Sequence, residues 1–139
     1  MHRGSITIVC KNDLAEFDRF HRMVCHFCEL HDVPPRTLHA LTLALDEIFT
    51  NILSYAYKDG GSHEITAHID FEPGTLKARV EDDGDAFNPL DVPPVDITRP
   101  MGEREVGGLG IHLVRSLMSQ VEYTRTGGKN VLTLAKKIR

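Results

Sequence analysis

No apolar stretch in this chain approaches the roughly 20 residues that a membrane-spanning helix needs. The opening Met1-His2-Arg3-Gly4-Ser5 does not lead into the apolar region of a secretion signal. Cysteine is scarce. Cys10, Cys25 and Cys28 are few and odd in number, which argues against a disulfide framework and makes a reducing cytoplasm the expected compartment. Excess positive charge is missing too: 16 Lys and Arg stand against 20 Asp and Glu, for a formal net charge of -4. Only Lys136, Lys137 and Arg139 gather at the end of the chain, whereas direct nucleic-acid binding calls for a concentrated basic face. Neither a membrane nor a nucleic acid is therefore an expected direct partner. There is also no internal repeat, no low-complexity tract and no linker long enough to divide the chain.

What is present suits one globular domain, residues 1–139, with 41% hydrophobic and 26% charged residues. Alternation around Ile6, Ile8 and Val9 predicts a strand over 5–10. Asn12 or Asp13 can cap a helix over about 13–31, whose apolar stripe holds Leu14, Phe17, Phe20, Val24, Phe27 and His31. Asp32-Val33-Pro34-Pro35 ends it. A second helix is predicted from about Pro35 to Tyr57, with Leu38, Leu41, Leu45, Ile48, Ile52 and Ala56 inward. Asp59-Gly60-Gly61 stops it. Residues 64–71 and 75–81 alternate around Glu72-Pro73-Gly74, a hairpin signal. From Ala86 to Val106 five residues, Pro89, Pro93, Pro94, Pro100 and Gly102, interrupt any period, and a loop this long is usually functional or mobile. A helix over 109–118 and strands over 120–125 and 130–138, joined through Thr126-Gly127-Gly128-Lys129, complete the order. That order lacks the strand–helix alternation of a doubly wound sheet. It predicts an α+β class, a two-layer α/β sandwich whose mostly antiparallel, mixed sheet carries helices on one face.

Three clusters can carry chemistry. Glu47 and Asn51 lie one helical turn apart and share a stripe with Lys58, roughly opposite the Leu41-Leu45-Ile48-Ile52 face. A carboxylate there can take a proton from a hydroxyl or a water, and a carboxamide oxygen is a hard ligand that suits Mg²⁺. Taken alone, the pair reads equally as a solvated helix face. Asp82 ends a predicted strand and can accept the amino group of adenine. Gly84 lets the backbone turn and Ala86 leaves room for a flat ring; taken alone, this is an acidic turn. Gly107-Gly108-Leu109-Gly110 opens a helix, where free N–H groups attract phosphate, though the same glycines serve as a hinge or cap. No Gly-Lys-Ser/Thr follows them, which excludes a Walker loop, and no strand precedes them, which excludes a dinucleotide fingerprint. Arg99 and Arg104 are candidate γ-phosphate donors in the loop before the glycines. Cys25 and Cys28 with His21 at helical spacing read as helix-core residues rather than a structural zinc site, which takes four ligands.

The three clusters in this order resemble the ATPase fold shared by gyrase, histidine kinases and MutL, the Bergerat or GHKL fold. Glu47-Ile48-Phe49-Thr50-Asn51 matches its N-box, Asp82-x-Gly84-x-Ala86 its adenine box and Gly107-Gly108-Leu109-Gly110-Ile111 its second glycine box. The resemblance extends over nearly the whole chain. Within the superfamily, Ala44 to Asn51 and Gly128-Lys129-Asn130-Val131-Leu132-Thr133-Leu134 are similar to the anti-sigma factor serine/threonine kinases of bacterial partner switching. That resemblance implies ATP and Mg²⁺ as cofactors. It implies a sigma factor and a STAS-type anti-anti-sigma protein as partners, and a homodimer as the assembly. It makes Glu47 the catalytic base and Asn51 the Mg²⁺ ligand. It makes Asp82 the adenine contact, with Gly84, Ala86, Arg104, Gly107, Gly108, Leu109 and Gly110 around the nucleotide and residues 87–106 as a lid. Two alternatives share the boxes: an ATP-binding regulatory module without kinase activity, and a stand-alone ATP hydrolase.

Overall fold

The computed structural model describes residues 3–53, 61–91 and 108–138. Five strands, β1 (Gly4–Lys11), β2 (Glu64–Glu72), β3 (Thr75–Asp82), β4 (Gln120–Thr126) and β5 (Lys129–Lys137), form one sheet in the order β1-β2-β3-β5-β4. Every pairing in it is antiparallel. Three helices, α1 (Leu14–Leu30), α2 (Pro35–Asn51) and α3 (Gly108–Leu117), belong to the same body. The expected α+β class is thus met, and the sheet is antiparallel throughout.

Local chemistry sets the joints. Asp13 caps α1 by accepting the Glu16 N–H at 2.8 Å, as a helix N-terminus prefers. Asp32 then takes a positive φ of 54°, a conformation an acidic turn residue tolerates, and Pro35 opens α2 where a missing N–H is harmless. The β2–β3 turn pairs Glu72 with Thr75 across Pro73 and Gly74. Gly74 has a φ of 85°, and proline followed by a positive-φ glycine is the type II arrangement. Gly127 and Gly128 both have positive φ and close the β4–β5 hairpin as two-residue turns of the primed kind do.

The alternation of each strand decides which face is dry. Ile8 and Cys10 of β1, Ile65, Ala67 and Ile69 of β2, and Leu76, Ala78 and Val80 of β3 are buried, as are Leu132 and Leu134 of β5. Against them lie Phe20, Val24 and Cys28 of α1 and Leu41, Ala44, Leu45, Ile48 and Phe49 of α2. Phe49 holds the two helices together, its ring 4.5 Å from Phe20 and 4.9 Å from Phe17. Cys10 and Cys28 belong to this core; burial pushes their thiols up to about 11 and about 12.

Among the described residues, the second helix changes character near its end. Regular α-helix stops at Asn51, and residues 52 and 53 continue as a wider π turn, a distortion common near functional sites. The predicted remainder to Tyr57, with Lys58, lies outside the described residues.

Candidate active site

Strand alternation places the first functional side chain. Asp82 has the same parity as Leu76, Ala78 and Val80, so its carboxylate continues the dry face at the end of the central strand and is only 5% exposed. Its Oδ1 accepts the Gly84 N–H at 2.9 Å and the Asn130 Nδ2 at 2.9 Å. Its Oδ2 has no hydrogen bond among the described residues and is the acceptor left for a ligand. Burial pushes the Asp82 pKa above the ordinary carboxylate value, with Asp83 adding to the rise. The bonds from Asn130 and Gly84 and the charge of Arg125 oppose it. Gly84 serves here through its N–H; among the described glycines only Gly74, Gly127 and Gly128 have positive φ.

Asp82 lines a small cavity of about 20 Å³. Ile48 and Ile52 from α2, Val80 from β3 and Leu132 from β5 make its apolar walls. Phe87, Pro89 and Tyr123 add flat surfaces, and Asn51, Asp82 and Asn130 are the polar members. A mostly apolar slot with a few convergent polar groups is the usual form of a small-molecule site.

Asn51 corrects the expected helix geometry. It is buried, 3% exposed, and shares the cavity wall with Ile48 and Ile52 instead of standing opposite the apolar face. At 100° per residue it lies about 60° from Ile48, on the flank of the apolar stripe. Its Nδ2 is sealed from solvent with no hydrogen-bond partner among the described residues. Glu47, one turn earlier, is half-buried, has no ion pair or hydrogen bond among the described residues, and does not line the cavity.

The adenine-box turn is held from the β4–β5 hairpin. Asn130 pairs with Asp82 in strand register and is itself buried. Its Nδ2 also donates to the Asp85 carbonyl at 2.8 Å, and its Oδ1 accepts the Phe87 N–H at 3.2 Å and the Tyr123 hydroxyl. Arg125 Nη1 donates to the Gly84 carbonyl at 2.7 Å. Ala86 is exposed, and beyond Asp82 the cavity wall comes from Phe87 and Pro89. The first residues of the expected lid, 87–91, are tied down: Pro89–Asp91 form a 3₁₀ turn whose Leu90 carbonyl accepts Arg115 Nη2 from α3 at 2.8 Å.

Gly108, Leu109 and Gly110 form the first turn of α3, where backbone N–H groups have no partner within the helix. This helix packs against α2 and β4. Gly107, Arg99, Arg104 and the rest of the lid, 92–106, lie outside the described residues.

Asn130, Tyr123 and Arg125 are absent from the sequence-predicted site. Asn130 had a signal: it shares the parity of Leu132 and Leu134, and a buried-face amide between apolar neighbours asks for a partner.

Comparison with known proteins agrees with this geometry. Residues 10–136 match the model of the histidine kinase-like ATPase domain. The serine/threonine-protein kinase BtrW of Bordetella bronchiseptica is 31% identical over 101 residues, 71% of this chain and 70% of that protein. The serine-protein kinase RsbW of Bacillus mycoides is 32% identical over 96 residues, 66% of this chain. The match spans only 59% of that relative's length. Among solved structures, the RsbU and RsbW domains of a Mycobacterium tuberculosis protein superpose with a TM-score of 0.69 at 13% identity, covering 97% of this chain and 32% of that one. The family-model match and these relatives establish that this chain belongs to the histidine kinase-like ATPase domain family, with the RsbW and BtrW serine-protein kinases among its relatives.

Proposed function

We propose that the cavity takes the adenine of ATP and that the chain is an ATP- and Mg²⁺-dependent serine/threonine kinase. In this reading it is an anti-sigma factor that binds a sigma factor and phosphorylates a STAS-type anti-anti-sigma partner. The observation that carries the reading is Asp82, buried at the mouth of an apolar slot with one carboxylate oxygen bonded and the other available. The exocyclic amino group of adenine is a donor that Oδ2 satisfies, while the ring lies against the apolar and aromatic walls. Use of ATP agrees with the family, and serine/threonine kinase activity is supported by the names of the curated relatives.

In this reading the remaining residues have the following roles. Asn51 lines the slot with a buried amide that has an unpartnered nitrogen, which suits a residue built to meet a ligand. In the proposal it holds Mg²⁺ through its carboxamide oxygen. When bound, the ion neutralises phosphate charge. The first turn of α3, Gly108 to Gly110, offers N–H groups to the phosphates, and the resemblance gives Gly107 and Arg104, which lie outside the described residues, nucleotide contacts too. Glu47 has no competing partner among the described residues and sits one turn from Asn51 on the same helix. It accepts the proton of the attacking serine hydroxyl as that oxygen bonds the γ-phosphorus and ADP leaves. Most of the acceleration in such transfer comes from positioning and electrostatics.

The test is phosphate transfer from labelled ATP to a STAS-type partner by wild type and Glu47→Gln. Transfer lost in the variant with ATP binding retained supports the kinase reading. Equal transfer removes Glu47 as the base. A second reading, an ATP-binding module without kinase activity, is favoured by one observation: Glu47 stands off the cavity wall. Partner binding unchanged by Glu47→Gln, with no transfer by either protein, selects it. ATP turnover without any protein acceptor selects a hydrolase instead.

A further inference from the structure

We propose that Asn130 is a positioning residue that sets base selectivity by fixing the orientation of Asp82, an inference that rests on the cavity being the adenine site. An asparagine side chain has two donor hydrogens and two acceptor lone pairs, and all four are used here. Nδ2 gives its hydrogens to Asp82 Oδ1 at 2.9 Å and to the Asp85 carbonyl at 2.8 Å. Oδ1 receives the Phe87 N–H at 3.2 Å and the Tyr123 hydroxyl. Nothing remains with which Asn130 can read a base itself. Its action on a ligand therefore passes through Asp82.

The direction of the amide is fixed by its neighbours. The Asp85 carbonyl only accepts and the Phe87 N–H only donates. A flipped amide would set oxygen against oxygen at Asp82 and Asp85, and N–H against N–H at Phe87. The donor side of Asn130 is thereby held against Asp82 Oδ1, beside the Gly84 N–H. Two donors on Oδ1 favour a charged carboxylate and present Oδ2 to the cavity as an acceptor. Such a site selects a base with an amino group at position 6 and disfavours a 6-oxo base, because facing acceptors leave both unsatisfied.

Tyr123 and the turn enter the same device. The Tyr123 ring lines the slot while its hydroxyl holds Asn130 Oδ1. One amide thus joins the base-reading carboxylate, the edge hairpin and the backbone at the start of the lid.

The experiment is calorimetric titration of wild type, Asn130→Ala, Asn130→Asp and Tyr123→Phe with ATP and with inosine triphosphate, each with Mg²⁺. Inosine triphosphate differs in carrying a 6-oxo acceptor where ATP has an amino donor. Wild type is expected to favour ATP at least tenfold. Asn130→Ala should cut that preference at least threefold. Asn130→Asp should cut it at least threefold as well, since the donor that holds Asp82 Oδ1 is lost and the two adjoining carboxylates compete for one proton between them. Equal weakening of both nucleotides in the two Asn130 variants would overturn the inference, leaving Asn130 a wall of the pocket. Should those variants not fold, as judged by circular dichroism, Tyr123→Phe decides: a drop of threefold or more in the preference supports the inference and an unchanged preference overturns it. Wild type that binds neither nucleotide would overturn the cavity reading itself, and this inference with it.

Discussion

Replacing Asn51 with leucine should strengthen the nucleotide-free fold while removing its function. Asn51 is 3% exposed and its Nδ2 is buried without a partner among the described residues, an arrangement that costs about 1–3 kcal/mol relative to a hydrated amide. Leucine removes that cost and adds apolar area beside Ile48 and Ile52, at the edge of a small cavity of about 20 Å³ that takes up part of the larger side chain. At this chain length each kcal/mol moves the melting midpoint by about 4 °C, and the variant should melt roughly 4–12 °C above wild type without nucleotide. ATP with Mg²⁺ at a hundred times Kd should stabilise wild type by about 2.7 kcal/mol and leave Asn51→Leu unmoved. Thermal unfolding followed by circular dichroism, with and without ATP and Mg²⁺, reads both effects. A variant that melts below wild type, or that keeps the full nucleotide shift, would refute the reasoning about the orphaned amide.

Other outcomes follow from the core and from Asp82. Phe49→Ala removes the ring packed between Phe17 and Phe20 and should destabilise the protein by about 3–5 kcal/mol in urea unfolding, the cost of emptying the α1–α2 contact. Burial raises the pKa of Asp82, and adenine requires its charged form. ATP affinity should therefore fall as pH drops through that raised value, at a higher pH than an ordinary aspartate with its value of 3.8 would give. Titrations across a pH series check this; an affinity that stays level down to the ordinary carboxylate range would contradict it.

Much of the fold is legible in the sequence because alternation and helical spacing are strong there. Asp13, Pro35, Gly74 and the Gly127–Gly128 pair punctuate the chain as their backbone chemistry requires. Asp82 was readable for chemistry but not for burial: its parity with Val80 places it on the dry face, yet only tertiary packing seals it. Asn51 illustrates the opposite error. A polar residue 60° from Ile48 is assigned to solvent by its type, whereas the cavity beneath α2 draws it inward. Asn130, Tyr123 and Arg125 escaped notice because they act across strand pairings. The partners of Asn130 and Arg125, Asp82 and Gly84, lie 48 and 41 residues away in sequence and are adjacent only through the β3–β5–β4 order, and Tyr123 reaches Asp82 only through Asn130.

Titration of wild type and Asp82→Asn with ATP and Mg²⁺ bears most directly on the cavity as an adenine site. Asp82 Oδ1 is already taken by Gly84 and Asn130, so the substituted amide turns its NH₂ toward the slot and donor meets donor. Losing a hydrogen bond to a charged group costs about 1.5–3 kcal/mol, which corresponds to a roughly ten- to hundredfold weaker Kd. The expected result is clear binding by wild type and a loss of at least that size in the variant. Undiminished ATP binding by Asp82→Asn would contradict the assignment of this cavity to adenine.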